Sequence, residues 1–354
     1  MKKAVAFIGS AGVPNRYGGF ESFLDACAPV MAEDRTVIVT CDAARYQDHA
    51  PFWSGVERRF IRVGANGATS VFHDLVAFFR VYRDVGAIVV LGVSAGVFMP
   101  LFRLLCAVRG IKLVVNVDGI EWRREKFSAG KKAFLWLSDR LAQLCAHRVV
   151  VDSRALAPFL SPTGRRRAVY IAYSGDQVQR SAKRPSSGYC LTICRIEPEN
   201  NCELLIEGFL RSGAPEYRFV GNWNGSEYGR SLRKRYGEET SLQLLDAIYD
   251  PAVIADLREN ATTYLHGHSV GGTNPSLVEM LYYDARIVAF DCAFNVETAG
   301  DAACYFRDLE TLVAALRKGS DDVLSASTAA SRTAARARYT RRVIATQYAE
   351  AIDG

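Results

Sequence analysis

The 354-residue chain lacks the patterns that most directly announce a chemistry. Its nine cysteines are odd in number and scattered, with no CxxC pair and no Cys/His zinc spacing. That excludes a disulfide framework and a structural zinc domain, and it suits reduced, buried thiols in a cytosolic protein. No D-x-D pair occurs, so a metal bridging two acids onto a diphosphate has no support. The first strand-like run is not followed by G-x-G-x-x-G, which removes the dinucleotide fingerprint. Long apolar runs are also wanting. Ala4–Ile8 is too short before Gly9 for a signal peptide and reads as a first strand. Val85 to Phe102 runs 18 residues without charge, but Gly92 and Gly96 break it into strand, loop and the start of an amphipathic helix. No transmembrane helix is expected.

What is present is a globular composition, 49% hydrophobic and 23% charged, at a length that suits two domains. The net charge of +6 is uneven. Residues 1–150 carry 20 Lys+Arg against 13 Asp+Glu, and the remainder 24 against 25. The basic excess of the first half suggests a phosphate-bearing partner or an anionic surface there; no nucleic-acid partner is expected.

Strand and helix signals alternate. Ala4–Ile8, Thr36–Thr40, Ile88–Leu91, Leu113–Val117 and Arg148–Val151 are β-branched runs of the buried parallel kind. Helical stretches such as Glu21–Ala32, Ser70–Tyr82 and Lys131–Ala146 lie between them. A linker-like segment follows Tyr173, and the alternation restarts at Tyr189. The expectation is two α/β domains of doubly wound build, 1–173 and 174–330, with 331–354 forming a helix that packs back on the first.

Five stretches that follow a strand carry candidate chemistry. After the first strand, Gly18 and Gly19 open a helix and let backbone amides approach a phosphate, with Arg16 adding charge. Asp118 and Glu121 leave the strand Leu113–Val117 at the edge where open α/β sheets hold ligands. Arg195 sits where Tyr189–Cys194 ends, a guanidinium fork suited to a diphosphate. Asn222 in Phe219-Val-Gly-Asn-Trp223 is either a turn residue or a ligand contact. The longest of these stretches is His266-Gly-His-Ser-Val-Gly-Gly-Thr-Asn-Pro-Ser-Leu-Val-Glu279, a strand end, a glycine-rich turn and a helix start with Pro275 at its first position.

Together, Tyr17-Gly-Gly-Phe-Glu21, Asn116-Val-Asp-Gly-Ile-Glu-Trp122, Arg195-Ile-Glu-Pro-Glu-Asn-Asn201, Val220-Gly-Asn-Trp223 and His266–Glu279 resemble the rhamnosyltransferase branch of the family 4 glycosyltransferases. The resemblance implies a GT-B fold, in which two Rossmann-like domains face each other across a crevice. The first takes the acceptor and the second a nucleotide-sugar donor. It implies metal-independent transfer with retention and no cofactor, the donor being dTDP-rhamnose as substrate. Gly18, Gly19, Arg195 and the turn at Gly272, Thr273 and Asn274 would hold the diphosphate, and Glu279 the ribose hydroxyls. Asn200, Asn222 and His268 would line the donor, while Asp118 would lie near the reacting sugar. Arg16, Tyr17, Glu21, Glu121 and Trp122 would meet the acceptor, a glycan or a polyprenyl-diphosphate-linked saccharide in surface polysaccharide synthesis. Two positions depart from the wider family: Gly271 stands where the first glutamate of E-x7-E belongs, and Asn200 where a lysine does. His268 is a candidate to replace part of what they supply. Alternative readings are a UDP- or GDP-hexose donor, a nucleotide-sugar 2-epimerase, or a catalytically silent nucleotide-sugar-binding scaffold.

A cytoplasmic enzyme peripheral to the inner face of the plasma membrane is expected. Trp122-Arg-Arg-Glu-Lys-Phe and Lys131-Lys-Ala-Phe-Leu-Trp-Leu interleave cations with aromatics, with Arg123, Arg124, Lys131 and Lys132 as the charges. Phe72, Val76, Phe79 and Tyr82 form an apolar stripe at helical spacing beside Arg80 and Arg83, a pattern that equally fits core.

Overall fold

A computed structural model describes residues 3–16, 18–123, 127–183, 188–318 and 326–354. The chain divides by internal contacts into two compact units, Met1–Ser174 with Arg341–Gly354, and Gly175–Thr340.

In the first unit the β-branched runs become strands because nearly every residue along them is buried, the exceptions lying at their first positions, which favours side chains that pack on both faces of a sheet. The strands are β1 (Val5–Ile8), β2 (Val37–Asp42), β3 (Phe52–Trp53), β4 (Val56–Ile61), β5 (Ala87–Leu91), β6 (Lys112–Asn116), β7 (Arg148–Val151) and β8 (Ala168–Tyr170). Their order is β3-β4-β2-β1-β5-β6-β7-β8, parallel except for β3 against β4. The helices are α1 (Gly19–Ala32), α2 (Ser70–Val81), α3 (Met99–Arg109), α4 (Ala129–Cys145) and α5 (Pro162–Arg167). The right-handed rule for parallel crossovers puts α1 on one face and α2 to α5 on the other, in line with α2 and α4 both packing on the short turn Ser94–Phe98, α4 on α3 and α5, and α1 on the C-terminal helix. The C-terminal helix, Arg341–Asp353, joins α1. Its Tyr348 stacks on Phe23 with ring centroids 4.4 Å apart, and Arg35 grips Asp353 through two bonds of 2.9 and 2.6 Å.

The sequence reading leaves β4 out, since Glu57, Arg58 and Arg59 break its apolar pattern. Arg58 is nevertheless buried. Its guanidinium lies 5.0 Å from the Tyr46 ring centroid and 4.7 Å from that of Phe60, and it pairs with Asp48. A buried charge is tolerated when stacked and paired in this way.

The second unit contains β9 (Tyr189–Ile193), β10 (Tyr217–Gly221), β11 (Leu242–Asp246), β12 (Ala261–His266), β13 (Arg286–Phe290) and β14 (Cys304–Phe306), all parallel in the order β11-β10-β9-β12-β13-β14. Its helices are α6 (Cys202–Ser212), α7 (Glu227–Tyr236), α8 (Pro251–Glu259), α9 (Pro275–Met280), α10 (Ala293–Ala299), α11 (Leu309–Arg317) and α12 (Ala326–Arg338). Trp223 anchors the core of this unit: it is fully buried, and its indole N–H donates to the carbonyls of Phe219 and Leu245. A boundary at 331 falls inside α12, which belongs to this unit. Arg332 of α12 donates to the Tyr283 carbonyl at 2.7 Å, and the chain returns to the first unit only at Arg341.

Candidate functional site

Both sheets are wound outward in two directions from a central strand. The strand order reverses between β1 and β5 in the first unit and between β9 and β12 in the second. Open α/β sheets receive ligands at such reversals, outside the carboxyl ends of the strands. In the second unit the flanking segments are Cys194–Asn201 after β9 and Gly267–Asn274 after β12, and they are laced together. The Asn201 amide donates to the Gly267 carbonyl at 2.8 Å, and both the backbone N–H and hydroxyl of Ser269 donate to the Glu199 carbonyl.

Asn200 is the keystone of this lacing. Its side-chain amide donates to the Arg195 carbonyl at 2.7 Å, so its oxygen must face the other way, where it lies 2.8 Å from His268 Nδ1. Nδ1 therefore carries the hydrogen, and in the neutral ring Nε2 keeps its lone pair. That nitrogen faces the Gly271 turn. Gly271 adopts φ +134°, and a Cβ there would stand 2.9 Å from His268 Nε2. Gly271 is thus a backbone requirement of this turn. Neighbouring His266 is buried, and burial pushes its imidazole down to about 3, so it stays neutral.

Arg195 is exposed, and its guanidinium makes no hydrogen bond or ion pair among the described residues. Asn222 turns inward instead, its oxygen accepting the Ile196 N–H at 2.8 Å and so holding the segment that carries Arg195. Thr273 and Gly272 are buried, and Asn274 caps α9, a helix of six residues, by accepting the Ser276 N–H at 2.9 Å. Glu279 is already engaged. It forms an ion pair with buried Arg258 and accepts from the Gln177 side chain at 3.1 Å.

The first unit treats its own glycine-rich loop differently. Gly9, at φ +93°, brings the loop so close to β5 that a Cβ would lie 2.3 Å from the Leu91 carbonyl. Glu21 of α1 is 4% exposed, and its carboxylate accepts the Ala11 N–H at 2.6 Å and the Gly18 backbone as well. Burial raises this carboxyl's proton affinity, and the amide bonds only partly offset it. The amides of Ala11 and Gly18 thus already face a carboxyl supplied by the protein itself. Arg16 lies exposed with its guanidinium 5.4 Å from the Tyr46 ring centroid, and Tyr17 falls outside the described residues.

Asp118 follows β6 with φ +58°, a left-handed conformation that Asp tolerates better than most side chains. Its N–H donates to the Asn116 side-chain oxygen at 2.9 Å. The Asn116 amide in turn donates to the Tyr348 hydroxyl at 2.7 Å, from the C-terminal helix 232 residues away. Asn116 and Tyr348, which sequence reasoning does not single out, therefore fix the backbone that presents Asp118. An Asn accepting from the backbone two residues on is a known local pattern and was a signal available in the sequence; Tyr348 had none. A cavity of about 20 Å³ borders Asp118, with Ile120, Trp122 and buried Asp139 on its wall. Trp122 is half-buried and helps hold the Asp139 carboxylate, while Glu121 begins a short 3₁₀ turn. Among the described residues no group of three or more His, Cys, Asp or Glu is placed to hold a metal.

Residues 2–176 match the sequence model of a family described as a domain of unknown function, DUF1972. No curated protein matches the chain. Its structure is similar to sucrose-phosphate synthase from Thermosynechococcus elongatus, at TM-score 0.79 and 14% identity over 99% of this chain and 98% of that one. HepE of Anabaena, in complex with UDP and glucose, gives TM-score 0.73 and 16% identity over 98% of each chain. The catalytic domain of starch synthase IV from Arabidopsis thaliana, bound to ADP and acarbose, gives 0.71 and 10% over 99% of this chain and 98% of that one. The protein therefore has the fold implied by the sequence resemblance, the GT-B fold of two parallel-sheet, Rossmann-like α/β units.

Proposed function

We propose that this protein is a glycosyltransferase that moves L-rhamnose from a dTDP-linked donor, with retention and without a metal ion or cofactor, onto a glycan or lipid-linked saccharide. The observation that carries the reading is the unpaired Arg195 guanidinium at the strand-order reversal of the second unit, beside a histidine oriented by Asn200. A fixed, hydrogen-bonded loop that ends in an open cation suits the developing charge of a departing nucleoside diphosphate. Two structural neighbours hold nucleoside diphosphates, UDP and ADP, which favours that ligand class here.

In this reading Arg195 neutralises the leaving diphosphate, His268 Nε2 accepts from a hydroxyl of the donor, and a phosphate oxygen accepts the acceptor's proton, so no strong protein base is needed. Asp118 orients the hydroxyl that attacks. Asn200 and Gly271 do structural work in the loop, which accounts for both departures from the wider family without loss of activity. Glu279 takes the nucleoside's sugar hydroxyl by exchanging it for the Gln177 contact. All nine cysteines are free thiols, which fits a cytoplasmic enzyme. The test is a calorimetric screen of dTDP-, UDP- and GDP-sugars followed by a transfer assay with and without chelator. Binding and turnover with dTDP-rhamnose, unaffected by chelator, is the expected result. Preference for a UDP- or GDP-sugar would replace the donor assignment, and strict need for a divalent cation would remove metal independence.

A further inference from the structure

Three helices on one face of the first sheet turn apolar side chains outward. Phe72, Val76 and Phe79 are exposed along α2, and Leu101, Leu104 and Val108 along α3. Phe134, Trp136, Leu137 and Leu144 are exposed on α4. Leu104 is 64% and Val108 80% exposed, values expected of charged residues on a solvated helix. The opposite side of α3 buries Met99, Phe102 and Cys106, so this helix is apolar on both sides and not amphipathic as its sequence suggests. A helix of that kind has a non-aqueous neighbour on each side. Among the described residues of the second unit, large exposed hydrophobics are confined to Tyr249, Val253 and Val296.

The exposed charges of the three helices are of one sign, and Asp84, next to Arg83, is paired with Arg59. α2, α3 and α4 contain two acids, Asp74 and Asp139, and both are buried. Their cations are Arg80, Arg103, Arg109, Lys131, Lys132 and Arg140, with exposed Arg83 just past α2. Arg83 and Arg109 lie 5.5 and 5.9 Å from the Tyr82 ring centroid, and Arg140 lies 5.6 Å from that of Trp136. Cations resting on aromatic rings around an apolar centre are the composition of an interfacial surface. A second copy of this chain would bring the same cations against one another, which disfavours self-association through this face. No helix among the described residues is long and apolar enough to cross a membrane, so contact would be in the plane.

We propose that the outer face of α2, α3 and α4 docks on an anionic lipid bilayer, its apolar side chains entering the headgroup boundary and its cations pairing with lipid phosphates. The inference is independent of the donor assignment, since docking is read without turnover.

The experiment is co-sedimentation of the full chain with vesicles of phosphatidylcholine alone and of phosphatidylcholine mixed with phosphatidylglycerol, at low and high salt. The protein is expected to bind the mixed vesicles at low salt, to release as salt rises, and to bind phosphatidylcholine weakly. The double variant Leu104→Ser, Val108→Ser should lose about tenfold in partitioning, because both side chains leave the apolar contact. Replacing Arg83, Arg109 and Lys131 by Gln should cost about fivefold per cation and flatten the salt dependence. Val253→Ser on the second unit should change nothing. All these positions are exposed, and circular dichroism confirms that each variant folds. Absence of binding to the mixed vesicles at low salt would overturn the proposal. So would binding that survives both sets of substitutions, or a dimer that the serine variant dissociates while no lipid is bound.

Discussion

The two units solve one geometric problem in opposite ways. Each winds a parallel sheet outward from a central strand and gathers its loops at the same edge. In the first unit the glycine-rich loop after β1 closes on Glu21, whose carboxylate occupies the amides of Ala11 and Gly18. In the second unit the segment after β9 is locked by Asn200, yet Arg195 is left open. One edge carries its own carboxyl; the other keeps an uncompensated cation. The same fold can therefore hold two roles, and local charge satisfaction tells them apart more clearly than topology does.

The largest expected effect probes the first unit's contribution to chemistry. Asp118→Asn should fold and bind donor normally yet lose about 100-fold or more in kcat, if Asp118 orients the attacking hydroxyl. Transfer rates near wild type would reduce Asp118 to a turn residue. Next, Glu21→Gln breaks the contrast from the first unit's side. It exchanges a buried carboxylate for a neutral amide at the loop, and should destabilise that unit by roughly 1–3 kcal/mol in chemical denaturation. An unchanged denaturation midpoint would mean that the Glu21 contacts do not organise the loop.

The units should also respond oppositely to pH. Burial pushes the Asp74 carboxyl from 3.8 up to about 7. The folded first unit thus holds a proton that the unfolded chain releases, and this contribution is complete below pH 3.8 and lost as pH rises through 7. Burial pushes His266 from 6.5 down to about 3. The unfolded second unit binds that proton first, so its stability is full above pH 6.5 and declines as pH falls toward 3. Hydrogen exchange resolved by peptide, followed from pH 4 to 8, should show the two trends crossing, and Asp74→Asn should flatten only the first. Parallel trends in the two units would contradict the burial assigned to these groups. The smallest effect belongs to Tyr348→Phe, which leaves the Asn116 amide without its acceptor. It should cost about 1–2 kcal/mol of stability and lower kcat several-fold, with donor KM unchanged. A change in KM alone would show that Tyr348 does not act through Asp118.

Much of this architecture is legible in the sequence because buried parallel strands are continuous apolar runs. Val5–Ile8, Ala87–Leu91 and Arg148–Val151 emerge within a residue of their expected ends. β4 is hidden because Arg58 is stabilised by rings and an acid that only the fold brings near it. The return of the chain to the first unit is obscured for a related reason. α12 and the C-terminal helix share an Ala- and Arg-rich composition, and nothing local marks Thr340 as the crossing. Arg195, Asn200 and His268 can be found because they lie between a strand and a helix, where ligand-facing loops belong. The link from Asn116 to Tyr348 cannot, since it joins positions 232 residues apart. On α3, periodicity cannot say which of two apolar sides is inside.

The central claim, that the second unit's open cation is built for a diphosphate, is tested most directly by calorimetric titration of wild type and Arg195→Ala with dTDP and with thymidine. Loss of about 2–5 kcal/mol in dTDP binding, with thymidine binding nearly unchanged, is the predicted result. Equal losses for both ligands, or no loss for either, would contradict it.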